Sequence, residues 1–381
     1  MNRPAAATFS GARAAGLSDR LQEDGSAHHA LLTLGRFLRD AGYRHHAISA
    51  ASHQLVLRRR AQAAAAATAA GAAGAAASAA ATRSPAGLND IFGLSERFSA
   101  DDLDPAAWGA MNEAAIVRRD GAGWRSKLRV ASVGVDGKSN SGGADAASLL
   151  FFHSAYPTLD DDAVFFDPDT YRFLRALRPA LAQGVRGAHG AHGANGTQGP
   201  IRRAVDIACG AGAGAVLIAR HWPDAEVLAV DINPKALTLT AVNADLAGAH
   251  RVRPVRSDVF NQLDGNFDLI VAHPPYLIDP CGRPLRHGGG AHGEHRSFDI
   301  VRAAIERLAP GGRLLLYTGV AMVDGADPLL ARLRPLLDGA GLAWRYEEID
   351  PDIHGDELIE TGYEHADRIA AIWLEAVKQR D

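Results

Sequence analysis

The chain has 381 residues, enough to bury a large core and to form more than one folded unit. With 40 basic against 44 acidic residues the formal net charge is −4, which excludes the overall basic field that a nucleic-acid backbone calls for. Two cysteines, Cys209 and Cys281, exclude a disulfide framework and point to a reducing cytoplasm.

No run of large apolar residues follows Asn2-Arg3-Pro4, so no secretory leader is expected. From His28 onward, Leu31, Leu34, Leu38 and Ala41 recur at helical spacing, and a second helix is expected near Ile48–Leu57. The alanine run from Ala61 to Thr82 lacks every large aliphatic residue and is interrupted by Gly71, Gly74 and Ser78. It reads as a low-complexity linker or an alanine-driven helix, and no membrane span is expected. A helix near Pro105–Ala115 precedes short apolar stretches at Ile116-Val117, Trp124, Leu128–Val130 and Leu149–Phe152, with a turn at Asp120-Gly121. This pattern suits a small, winged-helix-like α+β module.

Two glycine-rich inserts, at Gly137–Gly143 and Gly184–Gly199, read as loops. Between them, Asp167 is the expected N-cap and Pro168 the first residue of a helix carrying Tyr171, Leu174 and Leu177 on one face, with Phe165 and Phe166 just ahead of it. From Arg203 the pattern alternates strand and helix. Strands are expected near Val205–Ala208, Val227–Asp231, Val252–Arg256, Leu269–Ala272 and Arg313–Thr318. Helices are expected after Gly214, after Pro234, and near Phe298–Leu308 and Leu329–Ala340, followed by an antiparallel pair at Ala343–Ile349 and Ile369–Val377. The expected fold is a doubly wound, seven-stranded α/β sheet. The expected organisation is a helical segment over 1–60, an Ala-rich linker over 61–86, a small α+β accessory module over 87–157, read either as acceptor recognition or as a structural lid, and the main domain over 158–381.

Two stretches carry chemistry. VDIACGAGAGAVLIA, from Val205, is a buried strand that breaks into a glycine loop and then a helix. Gly210, Gly212 and Gly214 let the backbone turn and approach a ligand at the helix N-terminus. Asp231 closes the strand VLAVD, where a carboxylate can accept both ribose hydroxyls of an adenosine, and Asp258 in SDVF is placed to reach an adenine amino group. NAD and S-adenosylmethionine both satisfy this half of the pattern. VAHPPYLIDP, from Val271, ends a second strand in a rigid turn whose prolines offer carbonyls without N–H donors, beside the ring of Tyr276. Hydride transfer has no need of that turn.

With both stretches, the chain resembles the class I S-adenosylmethionine-dependent methyltransferases. It is most similar to the small-domain branch that includes the release-factor glutamine N5-methyltransferases and several adenine and guanine amino-methyltransferases. The resemblance covers about Asp162 to Asp381. It implies S-adenosylmethionine as cofactor, with Asp206, Gly210 and Gly212 at its methionine end, Asp231 at the ribose and Asp258 at the adenine. Phe166, Ala208 and His273 would complete the cofactor's surroundings, and His273, Pro274, Pro275 and Tyr276 would form the acceptor site.

Two departures from the family pattern stand out: Ala208 where glycine is usual, and His273 where asparagine or aspartate is usual. Imidazole accepts through one unprotonated nitrogen and can take a proton outright. His273 is therefore read as a general base for a hydroxyl, acid or heterocyclic N–H acceptor, or as a substitute hydrogen-bond acceptor for an amine. The loop Leu285–His295 reads as a lid hinged at Gly288–Gly290. Its alternative reading, a ligand cluster of His287, His292, Glu294 and His295, lacks a stiff frame, and no metal site is expected here, at His28-His29, at His45-His46 or at His189 and His192. The acceptor is a protein glutamine, a small molecule or a nucleic-acid base. A non-catalytic S-adenosylmethionine-binding protein and, more remotely, an NAD-dependent oxidoreductase are the other classes.

Overall fold

The computed structural model describes residues 25–69, 85–135, 148–155, 160–182, 200–279, 282–283 and 286–380. The inserts 137–143 and 184–199, most of the alanine run, Cys281 and Leu285 lie outside the described residues.

The N-terminal part opens with α1 (Ser26–Asp40), whose Leu31, Leu34 and Leu38 are fully buried, as their helical spacing requires. Helix α2 (Ala50–Ala69) follows, and continues into the alanine run because alanine has the highest intrinsic helix propensity. Short helices α3 (Pro85–Phe92) and α4 (Pro105–Glu113) lead into two antiparallel ribbons. The first pairs β1 (Val117–Asp120) with β2 (Gly123–Ser126) around the Asp120-Gly121 turn, and the second pairs β3 (Leu128–Gly134) with β4 (Ser148–Ser154). Helix α5 (Pro168–Ala182) starts where the capping signal placed it, since Asp167 Oδ1 accepts from the backbone N–H groups of Asp169 and Thr170, both at 3.1 Å.

The rest of the chain builds a seven-stranded sheet. Its strands are β5 (Arg203–Ile207), β6 (Glu226–Asp231), β7 (Val252–Arg256), β8 (Phe267–Ala272), β9 (Leu308–Val323), β10 (Ala343–Asp350) and β11 (Ala366–Val377), in the order β10-β11-β9-β8-β5-β6-β7. Strands β7, β6, β5, β8 and β9 are parallel, whereas β11 runs antiparallel between β9 and β10. Strand β9 is longer than the expected Arg313–Thr318, because it pairs with β11 from Arg313 to Val323 and with β8 as far back as Leu308.

Alternate residues of the central strands face opposite sides, the period-two pattern of a sheet covered on both faces. Ala204, Leu269, Val271 and Leu315 join one buried cluster, while Val205, Ile207, Ile270 and Leu314 join the other. Helices α8 (His295–Arg307) and α9 (Pro328–Gly339) cover the second face through Ile300, Val301, Leu329 and Leu333. The first face is covered by α5, α6 (Ala213–His221) and α7 (Pro234–Leu246). Leu31, Phe92, Val130 and Phe151 of the N-terminal part belong to this same cluster, so the accessory elements share the core of the sheet's first face. Asn243 of α7 ties the two parts together. Its amide accepts from Phe152 N at 2.8 Å and donates to Phe152 O and Ala211 O at 3.0 and 2.9 Å, capping the free edge of β4.

Parallel neighbours β6 and β8 lie on opposite sides of β5, so the chain changes direction across the sheet at the carboxyl end of β5. A crevice opens at such a switch point, and both chemistry-bearing stretches end there.

Candidate active site

After β5 the backbone turns through three left-handed residues, Ala208 (φ +59°), Gly210 (φ +53°) and Gly212 (φ +79°), before α6 begins. Ala208 thus holds a conformation that disfavours any Cβ. Gly214 has a different role from the one its place in the loop suggests. It lies within α6, and a Cβ there would stand 2.7 Å from Asp206 Oδ2 and 3.0 Å from Phe173, so its bare backbone is what lets Asp206 pack beneath the helix. Asp206 Oδ2 accepts from Ala215 N at 2.8 Å, satisfying an N–H of the helix's first turn. Burial pushes the Asp206 carboxyl up to about 7, against the pull of that N–H group.

Asp231, at the end of β6, is held from two sides. Its Oδ2 accepts from Gly210 N at 3.0 Å and its Oδ1 from Asn233 N at 2.9 Å, while burial raises its carboxyl above the ordinary range. Asp258 is different: its side chain is about half exposed (57 %) and its nearest ionic partner is Arg296 at 3.4 Å. Phe166 is buried, with ring contacts to Phe151 and Tyr171 at 5.5 and 5.3 Å.

The turn after β8 meets a carboxylate that the sequence did not single out. Asp169, on the first turn of α5, is 2 % exposed and accepts hydrogen bonds from the hydroxyls of Tyr276 and Tyr317. His273 Nε2 lies 3.3 Å from the same Asp169 Oδ2 that Tyr276 reaches. Burial alone would raise the Asp169 carboxyl, but the hydrogen bond and charge of His273 and the charge of His354 bring it down to about 2. Burial and the neighbouring carboxylate push both tyrosines up, so they remain hydroxyl donors. His354, from the loop between β10 and β11, lies 3.1 Å from the Tyr276 hydroxyl. The turn is further fixed by Tyr363, whose hydroxyl accepts from Ile278 N at 2.8 Å. Among the described residues, neither the Pro274 nor the Pro275 carbonyl accepts a hydrogen bond.

The loop expected to be a hinged lid is seated on this turn. Leu277 N donates to Arg286 O, Gly288 N donates to Leu277 O, and a Cβ at Gly293 would overlap the Tyr276 carbonyl. Its charged side chains disperse. His287 Nδ1 accepts from Asp279 N, His292 reaches Gly362 O, Glu294 pairs with Arg332 at 3.0 Å, and His295 pairs with Asp299 at 3.0 Å.

One cavity of about 1180 Å³ joins these parts. Phe166, Asp206, Ala208, Gly210, Asp231, Asp258, His273, Pro274, Pro275 and Tyr276 all line it, whereas Gly212 does not and packs toward Thr240. Asp169, Phe173 and His354 line it as well, as do Ala47–Ser52, Gln54, Arg129 and His153 of the N-terminal part. Nothing in the sequence pattern marked this second group. Asp169 looked like an ordinary first-turn acid, and His354 belongs to no motif.

The fit to a sulfonium-linked adenosine follows from the donor set. Asp206 offers a buried carboxyl to an ammonium group beside a helix N-terminus. Asp231 is oriented by two backbone N–H groups and retains lone pairs for two hydroxyls. This sheet order, with an acidic strand end, a glycine turn and a Pro-Pro-Tyr turn at one switch point, is the Rossmann-like arrangement that the resemblance to the class I S-adenosylmethionine-dependent methyltransferases implied.

Residues 196–322 match the family described as the methyltransferase small domain. The chain is 33 % identical over 130 residues to the ribosomal protein uL3 glutamine methyltransferase of Neisseria meningitidis, covering 31 % of this chain and 43 % of that one. It is 36 % identical over 168 residues to the release factor glutamine methyltransferase of Deinococcus radiodurans, covering 41 % and 55 %. It is also 36 % identical over 127 residues to the 4-amino-L-phenylalanine/4-methylamino-L-phenylalanine methyltransferase of Streptomyces pristinaespiralis, covering 30 % and 43 %. The chain therefore spans about half the length of the curated relatives it matches. Among the described residues no helix is long and apolar enough to cross a membrane.

Proposed function

We propose that the protein is a cytoplasmic enzyme that transfers a methyl group from S-adenosylmethionine to a nitrogen or oxygen atom of a protein side chain or small molecule. The observation that carries this reading is the continuity of one cavity from Asp206 and Asp231 to the turn His273–Tyr276. The bound cofactor would supply an electrophilic methyl group at that junction.

This chain's own residues then have distinct tasks. Asp206 holds the methionine end of the cofactor, Asp231 its ribose and Asp258 its adenine, and Phe166 with Ala208 shape the wall around it. The free carbonyls of Pro274 and Pro275 accept from the acceptor's N–H or O–H, and Tyr276 packs against it. His273 stands where the acceptor's proton must leave. Much of the rate then comes from holding donor and acceptor in attack geometry. The N-terminal elements, which wall the far side of the cavity through Ile48, Ser52 and Gln54, select the acceptor.

Calorimetry with S-adenosylmethionine and with NAD is the first test. Binding of the former alone supports the reading, and tight NAD binding without a response to S-adenosylmethionine overturns it. Incubating the full chain with radiolabelled S-adenosylmethionine and a cell lysate, then separating protein, nucleic acid and small molecules, identifies the acceptor class. Label confined to nucleic acid would favour a base amino-methyltransferase, and binding without any labelled product would leave a non-catalytic cofactor-binding protein.

A further inference from the structure

Resting on that reading, we propose that Asp169 is a positioning residue that locks the His273 ring with Nε2–H inward and Nδ1 unprotonated. The lock makes the site selective for an acceptor that surrenders an ionisable proton, a phenolic hydroxyl or an azole N–H, over a carboxamide.

A buried carboxylate must be surrounded by donors, because it can only accept. Asp169 is 2 % exposed and collects three donors from two elements: Tyr276 and, at 3.3 Å, His273 from the turn after β8, and Tyr317 from β9. The histidine nitrogen that faces this carboxylate therefore bears the proton. In a neutral imidazole the other nitrogen is then a bare acceptor. The ring is also braced. Phe173 lies 5.1 Å from it and Tyr317 meets it edge-on at 4.8 Å, so a ring flip that exchanges the two nitrogens has to pass both neighbours.

The brace extends outward. Tyr276 spends its proton on Asp169 and so accepts from His354 Nε2 at 3.1 Å, while Arg172 lies 3.8 Å from Asp169 and 2.8 Å from Asp350. The hydroxyls of Tyr276 and Tyr317 and the His273 Nε2–H together favour the ionised Asp169 carboxylate without requiring a charged imidazole.

An asparagine in this place offers a carbonyl oxygen with two lone pairs, suited to holding an NH₂ group. Nδ1 offers a single lone pair and can take a proton outright. In the transfer step the acceptor's X–H bond gives way as the X–CH₃ bond forms. The S–CH₃ bond breaks with its electron pair remaining on sulfur, and the released proton passes to His273 Nδ1. The resulting imidazolium lies against the Asp169 carboxylate, then returns its proton to solvent through the open cavity.

The test uses the full chain labelled with ¹⁵N-histidine, with His273 assigned by its absence from the His273→Asn spectrum. Long-range ¹H–¹⁵N spectra of the wild type are expected to show Nε2 protonated and Nδ1 bare. In Asp169→Asn that preference should be lost while S-adenosylhomocysteine still binds. A wild-type His273 protonated on Nδ1 overturns the proposal, whether or not the variant folds.

A second arm offers N-acetyltyrosine amide, N-acetylhistidine amide and N-acetylglutamine amide with radiolabelled S-adenosylmethionine. Label is expected on the phenol or the imidazole, with the carboxamide slower by about 10²-fold, the scale of a general-base contribution. His273→Asn should shift label toward the glutamine amide. Preferential labelling of glutamine by the wild type overturns the acceptor class but leaves the methyltransferase reading intact. Failure to bind S-adenosylmethionine at all removes that reading instead.

Discussion

At the cofactor end of the cavity, Asp206, Ala208, Gly210 and Asp231 come from the ends of two adjacent parallel strands within 26 residues of one another, and their key partners are backbone N–H groups. At the acceptor end, Asp169, His273, Tyr276, Tyr317 and His354 come from α5, the turn after β8, β9 and the β10–β11 loop, and their partners are one another's side chains. The first arrangement tolerates change in side chains as long as the turn survives. The second depends on each member, because a buried carboxylate that loses a donor retains its charge without compensation.

Breaking the acceptor end is expected to have the largest effect. His273→Ala should slow label transfer from S-adenosylmethionine to the lysate acceptor by about 10²- to 10⁴-fold at saturating cofactor. Unchanged transfer would remove His273 from the mechanism and reduce the acceptor end to shape alone.

At the cofactor end, Asp206→Asn should weaken S-adenosylmethionine binding by about 1.5–3 kcal/mol, roughly 10- to 100-fold in Kd, because a charged partner for the ammonium is lost. The same substitution should stabilise the free protein at alkaline pH. The Asp206 carboxyl titrates at about 7 when folded, against about 3.9 in an unfolded chain. Between those values the folded state keeps a proton that the unfolded state has released. Stability from this group is therefore full below about pH 4 and declines as pH rises through 7. Thermal unfolding at pH 5 and pH 8 should show a wild-type decline that the variant lacks. Binding at pH 6 should also release a proton in the wild type, measurable by calorimetry in buffers of different ionisation enthalpy.

Asn243→Ala probes the connection between the N-terminal elements and the glycine loop. Loss of three buried hydrogen bonds should cost about 2–4 kcal/mol, read as a lower urea midpoint with an unchanged slope. Weaker cofactor binding should accompany it, since Ala211 loses its anchor. The smallest effect is expected for Ala208→Gly. Relief of a left-handed alanine, offset by greater freedom in the unfolded chain, should raise stability by about 0.5–1 kcal/mol and tighten cofactor binding. A drop in stability would mean that the alanine methyl group contributes packing that outweighs its backbone strain.

The halves also differ in how far they could be read in advance. Strands β5, β6, β7 and β8, the cap at Asp167 and the late antiparallel pair follow from apolar runs and local turn chemistry, and the structure forms each of them. A glycine turn after β5 was likewise visible, but the left-handed backbone at Ala208 and the separate tasks of the glycines were not. Gly214 makes room for Asp206, and Gly212 faces Thr240, which are matters of what packs above them. Asp169 shows the limit most clearly. Beside Pro168 it resembles any acidic residue in a first helical turn, and only the placement of α5 against β8 and β9 brings it under His273 and both tyrosines.

By itself, then, the sequence determined the parallel sheet, the switch point at which a crevice opens, and the proposed cofactor end, whose groups are close neighbours in the chain. Strand periodicity, caps and glycine turns act over a few residues and need no partner from elsewhere. Only the tertiary structure decided the acceptor end, because a buried carboxylate takes its meaning from donors more than 100 residues away in the chain, at separations of 104, 107 and 148. The fold alone also placed the N-terminal elements on the wall of the same cavity, where burial against the sheet's first face holds them.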